Sequence, residues 1–274
     1  MEDIYSYIDH NADEYIRDLQ TLVRQPSISA QNVGLRECAE LVLRMMHADG
    51  LDAHLHELDG GPPVITGHMK TARSERTMLC YSHYDVQPPE PLDAWTHGGP
   101  WSAEIVDGVL YGRGATDNKS GILAFNKAAK AFLKVRGELP VNLKFIVEGE
   151  EEIGSVHLGP WVEKNPELLR ADGMHCLDGS VDVSTDLPDV DLGLKSVLFI
   201  ELIARGAQSD VHSLNFPLLP APAWDLVRAL STIMDEDRRI LIDGWYEGLY
   251  QLEAEDLQQL EDKARRVDLE ALKE

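Results

Sequence analysis

Apolar residues recur at spacings near three and four at Ile4, Ile8, Tyr15, Ile16, Leu19, Leu22 and Val23, which predicts one amphipathic helix ending before Gln25-Pro26. A second helix is predicted from about Leu35 to His47, with Gly50 as its stop. Ala53 to Leu58 alternates and reads as a strand, Val64 to Met69 as a second, and Thr77 to Tyr81 as a buried third. A Gly-rich loop then leads into a helix from about Lys119 to Val135. It is followed by a strand at Val141 to Val147, a helix at Val156 to Lys164 and a strand at Gly173 to Leu177. Strands alternating with helices predict an α/β layer with a mixed, largely parallel sheet flanked by helices.

That pattern covers residues 1–190. Val181 to Asp191, rich in Asp and Ser, reads as a connection between domains. Residues 191–274 are expected to form a second α+β unit, one that reads as incomplete. It opens with a long strand from Gly193 to Ala204 and continues with a helix from Ala223 to Met234 bearing Leu226, Val227, Leu230 and Ile233. It closes with a charged, helix-prone stretch from Ala254.

Composition narrows the function classes. The net charge of −23 argues against nucleic acid, because phosphate binding needs clustered Lys and Arg. Apolar runs such as Val197-Leu-Phe-Ile200 end far short of the roughly 20 residues that a membrane span requires. The first residues, MEDIYSYIDH, lack the basic and apolar stretches of a secretory signal, so a cytoplasmic location is expected. The cysteines Cys38, Cys80 and Cys176 are odd in number and scattered, which fits a reducing compartment and small buried side chains rather than a disulfide framework.

Residues able to hold a metal follow the predicted strands, where open α/β sheets place their ligand sites. One strand runs into Ser82-His83-Tyr84-Asp85, another into Glu148-Gly-Glu-Glu-Glu152 and a third into Asp178. Between them, Gly112-Arg-Gly-Ala-Thr-Asp117-Asn-Lys-Ser-Gly121 folds the backbone around an acid just before a helix. Taken singly, these signals are weak: His-x-Asp recurs by chance, and a run of Glu is usually a solvated turn. The Gly-rich stretch is not a Walker A loop, since Asn118 rather than Gly precedes Lys119, nor a dinucleotide fingerprint, since Asp117 replaces the third glycine. His54 and His56 share a strand face and read as surface residues, and Trp95 and Trp101 flank a loop expected at the rim of the site. His157 and His175 have no ordered partner in the sequence.

In order and context the motifs are specific. Tyr81-Ser-His-Tyr-Asp-Val86, Leu110-Tyr-Gly-Arg-Gly-Ala-Thr-Asp-Asn-Lys-Ser-Gly121 and Glu148-Gly-Glu-Glu-Glu-Ile-Gly-Ser155 resemble the successive motifs of M20 metallopeptidases, with the dipeptidase branch that includes the carnosinases most similar. Asp178 and Ala204-Arg-Gly-Ala-Gln-Ser-Asp-Val-His212-Ser213 continue the resemblance. It implies a zinc-peptidase-like catalytic domain and a lid or dimerisation domain. It further implies two zinc ions, with manganese or cobalt as substitutes: His83 and Asp178 on one, Glu152 on the other, and Asp117 bridging. Glu151 would be the general base and Asp85 the partner that orients His83. His212 would be the lid histidine reaching a neighbouring subunit's site in a homodimer. The activity implied is hydrolysis of a dipeptide-like amide by zinc-activated water.

Members of that family are longer, and after the lid their chain returns to the catalytic domain with a final histidine ligand. No histidine follows His212 here, so the second zinc is expected to draw only Asp117, Glu152 and water from this chain. Leu214-Asn-Phe-Pro-Leu-Leu-Pro-Ala-Pro222 also stands where the family pattern has a Gly-rich turn. The alternatives are an N-acyl amino acid deacylase of the same fold, or a noncatalytic fragment that binds metal or dimerises.

Overall fold

The first amphipathic segment is two helices rather than one, α1 (Glu2–His10) and α2 (Ala12–Arg24). The break falls at Asn11, whose side-chain amide donates to Tyr7 O at 2.6 Å and so competes for a carbonyl the helix would use. The computed structural model describes residues 1–179, 181–182, 187–188, 197–249 and 251–266. They divide into two units at Val181/Asp182.

In the first unit, α3 (Leu35–Ala48) precedes β1 (Asp52–His56), β2 (Val64–Met69) and β3 (Thr77–His83). A small hairpin of β4 (Glu104–Val106) and β5 (Val109–Tyr111) follows, then α4 (Ser120–Arg136), β6 (Asn142–Glu148), α5 (Leu158–Lys164), α6 (Pro166–Leu169) and β7 (Gly173–Cys176). The main sheet has the order β1-β2-β6-β3-β7. It is mixed: β1–β2 and β2–β6 are antiparallel, β3–β6 and β3–β7 parallel.

Alternation along the strands gives the sheet two apolar faces. Ile65, Phe145 and Val147 pack with Leu22, Val42, Met46 and Ile122 from the helical layer of α2, α3 and α4. Val64, Leu79 and Ile146 face the other way, onto Leu158, Trp161 and Leu169 of α5 and α6. Helices thus cover both faces. The parallel strands β3, β6 and β7 end on one edge, and their C-terminal ends carry the candidate ligands.

Cys38 and Cys80 are buried, as expected, but Cys176 is exposed, on the strand that ends the sheet among the described residues. Val181–Asp182 and Leu187–Pro188 pair as two short strands, and the rest of the expected connection lies outside the described residues.

In the second unit the expected strand from Gly193 to Ala204 is not found. Residues 193–196 lie outside the described residues, and 197–204 have no regular structure. Among the described residues no strand pairs with that stretch, and a strand needs a neighbour to satisfy its amides. The unit carries α7 (Pro222–Ile233), with Pro222 in its first turn, and α8 (Ala254–Arg266). Among the described residues no helix is long and apolar enough to cross a membrane.

Candidate metal centre

His83 is the last residue of β3 and is fully buried. Its Nε2 has no hydrogen-bond partner, although Asp117 Oδ1 lies at 3.1 Å, Asp178 Oδ2 at 3.5 Å and Glu151 Oε2 at 3.8 Å. Ligand atoms of His83, Asp117 and Asp178 all lie within 4.8 Å of one another. Burial alone would hold the His83 imidazole below its ordinary value, but the carboxylates of Asp178 and Asp85 push it up to about 11. The acids around the ring therefore favour positive charge at this site. One aromatic nitrogen and carboxylate oxygens are a donor set for zinc or a similar divalent ion.

Asp85 is also fully buried. Its Oδ1 is 3.3 Å from His83 Nδ1, and its two oxygens accept the main-chain N–H groups of Glu151 and Glu152 at 3.1 Å each. Beyond β6 the chain turns sharply at Gly149, where a Cβ would collide with the buried ring of Tyr84. The Glu-rich run then divides by environment. Glu148 and Glu150 are buried, Glu148 taking bonds from Tyr81 Oη at 2.6 Å and Ser155 Oγ at 2.9 Å. Glu151 and Glu152 are partly exposed beside the cluster. Burial raises the Glu151 carboxyl above its ordinary range; His83 opposes this, while Asp178 and Glu152 add to it. Burial likewise raises Glu152, against the lowering effect of hydrogen bonds from Gln87.

Glu152 does not join the three clustered side chains; Gln87 engages its carboxylate instead. The Gln87 amide N–H reaches Oε1 at 3.2 Å, and the side-chain Nε2 reaches Oε2 at 2.9 Å and the Glu152 carbonyl at 3.0 Å. Sequence reasoning missed Gln87, which sits two residues beyond Asp85 and directly after the Tyr81–Val86 motif.

Asp117 is carried by the Gly-rich loop, which Lys119 ties down. Lys119 is fully buried, its ammonium donating to Gln25 O at 2.6 Å and Leu22 O at 3.1 Å at the end of α2 and 5.8 Å from the Trp101 ring centre. Carbonyls at a helix C-terminus suit a cation. At Gly121 a Cβ would run into Asn118 Oδ1 and the Leu177 carbonyl, so the close approach of the loop to the Asp178 segment requires glycine. Trp95 donates from Nε1 to Pro89 O at 2.8 Å and lies under the Arg113 guanidinium. His212 belongs to the second unit, where it is exposed and its Nδ1 accepts the Leu214 amide at 3.2 Å.

The family model described as peptidase family M20/M25/M40 matches residues 79–262. The chain belongs to this family. It is 33% identical over 289 residues to the Beta-Ala-His dipeptidase of Homo sapiens, an alignment covering 98% of this chain and 56% of the relative. It is 31% identical to the Cys-Gly metallodipeptidase dug1 of Schizosaccharomyces pombe, over 89% of this chain and 54% of the relative. Among solved structures, the M20 family metallo-carboxypeptidase Sso-CP2 from Sulfolobus solfataricus superposes with a TM-score of 0.81 at 34% identity, covering 95% of this chain and 58% of that one. This M20 chain thus spans about half the length of the curated relatives it matches.

Proposed function

We propose that this M20 chain carries the metal site and general base of a dipeptidase that uses two divalent ions. The observation that carries the reading is the orphaned Nε2 of buried His83, with three carboxylates within 3.8 Å. His83 and Asp178 would hold one zinc, Glu152 the other, with Asp117 bridging. Bound there, a metal pair would lower the pKa of a water molecule and polarise the scissile carbonyl.

The chain's own residues supply the rest. Glu151, partly buried and raised in pKa, takes the proton of the attacking water and passes it to the leaving amine. Asp85 holds the His83 ring, its main-chain oxygen 3.1 Å and its Oδ1 3.3 Å from Nδ1, and through two amides it holds the backbone of Glu151 and Glu152. For Glu152 to bind a metal, its carboxylate must share or exchange the donors of Gln87. His212, by resemblance, would reach a partner subunit's site in a homodimer and stabilise the oxyanion. A monomer by light scattering would remove that role. Three free cysteines support a reducing, cytoplasmic setting.

Two curated relatives are named for dipeptides, Beta-Ala-His and Cys-Gly, which favours a dipeptide over an N-acyl amino acid as substrate. The test is to strip the protein with a chelator, restore zinc, and follow zinc content together with hydrolysis of both dipeptides. Zinc uptake with zinc-dependent cleavage is expected. Failure to bind zinc would sink the proposal, and zinc uptake without cleavage would favour a metal-binding fragment.

A further inference from the structure

The second buried acid of the Glu-rich run, Glu150, has no part in the proposed chemistry. Glu150 is 2% exposed, and its carboxylate is met from one residue, His157. The His157 main-chain N–H donates to Oε1, and ring Nδ1 donates to Oε2 at 2.9 Å. The enclosed turn carries Glu151 and Glu152. Within it the Glu150 carbonyl accepts the amides of Ile153 at 3.2 Å and Ser155 at 2.9 Å, and the Glu151 carbonyl accepts that of Gly154 at 2.9 Å.

A 3₁₀ turn as short as Glu151–Ile153 has little rigidity of its own, so its direction depends on what grips it. Asp85 grips its start, and the Glu150–His157 pair closes the loop behind it. The fold makes room for that ring. A Cβ on Gly61 would lie 2.7 Å from His157 Cβ, and one on Gly60 3.2 Å from its Nε2.

We propose that His157 is a positioning residue: through Glu150 it aims Glu151 and Glu152 at the metal centre. A carboxylate buried this deeply is tolerated only where donors meet it. Without the Nδ1 donor, Oε2 loses its partner, Glu150 turns toward water, and the two adjoining residues shift with it. Displacements on the order of 1 Å suffice to impair a site of this kind. The inference rests on the metallopeptidase reading for its consequence, but the clasp itself is testable without it.

The variants are His157→Leu, which keeps bulk but removes the donor, and His157→Asn, whose side-chain amide can donate from near the Nδ1 position. Two readouts are taken on each: amide hydrogen exchange over residues 150–155, and cobalt titration followed by visible absorption. In the Leu variant, exchange over that turn rises and the weaker cobalt site loses about tenfold or more in affinity, while the tighter site holds and the melting temperature falls only by the few degrees that one lost buried hydrogen bond costs. The Asn variant restores both. Wild-type behaviour in the Leu variant would overturn the proposal, as would a general loss of melting temperature and of both cobalt sites together. Wild-type protein that binds fewer than two cobalt ions would count against the dinuclear reading alone, and the exchange data would still decide the clasp.

Discussion

Asp85 accepts the main-chain N–H of Glu151 at 3.1 Å through the same Oδ1 that stands 3.3 Å from His83 Nδ1. Its other oxygen takes the Glu152 amide at the same distance. One buried acid therefore joins the histidine at the end of β3 to the loop after β6, so the proposed ligand and the proposed base are set relative to each other.

Replacing Asp85 by Asn should expose that coupling. An amide has one acceptor oxygen, so its NH₂ must face one of the loop N–H groups, donor against donor. Zinc affinity by chelator competition is expected to fall about 10- to 100-fold. Stability in urea should fall by about 1–3 kcal/mol for the amide left unpaired. Unchanged zinc affinity would remove Asp85 from its role.

Lys119→Met tests the anchor beneath Asp117. The variant keeps length but leaves Leu22 O and Gln25 O without their buried cation. Hydrogen bonds to charged groups contribute about 1.5–3 kcal/mol, and a loss on that scale is expected in chemical denaturation. A denaturation midpoint equal to wild type would show that the loop does not depend on Lys119.

Alkaline pH should destabilise the first unit. Burial pushes the Cys80 thiol up to about 12, and burial followed by the nearby Tyr7 pushes the Tyr15 phenol up to about 12. Both folded values lie above the unfolded ones, about 8.5 for Cys and 10 for Tyr. Their contribution is therefore complete below those values and is lost as pH rises through about 12. Melting temperature should decline over that window, and Cys80→Ala with Tyr15→Phe should flatten the decline. An equally steep decline in the double variant would assign it to other groups.

The α/β layer and the strand-end residues His83 and Asp178 were legible because each follows an apolar run whose period is plain. The Glu-rich run was not legible in detail. Its four carboxylates look alike in sequence, yet Glu148 and Glu150 are buried by donors from Tyr81, Ser155 and His157, which only the folded turn brings to them. The β4–β5 hairpin was missed although Asp107-Gly108, both at positive φ, is a strong two-residue turn signal between short apolar runs. At Asn11 the helical period continues through the break, so periodicity hid what a side-chain hydrogen bond decides. For Val197 to Ala204 the apolar character was real, but a strand also needs a neighbour, which local pattern does not record.

Glu151→Gln removes the proposed base while keeping the shape of the side chain. Measured side by side with wild type for zinc content and dipeptide hydrolysis, the variant is predicted to retain its zinc and lose about 10²-fold or more in turnover. Turnover equal to wild type at full zinc content would contradict the account.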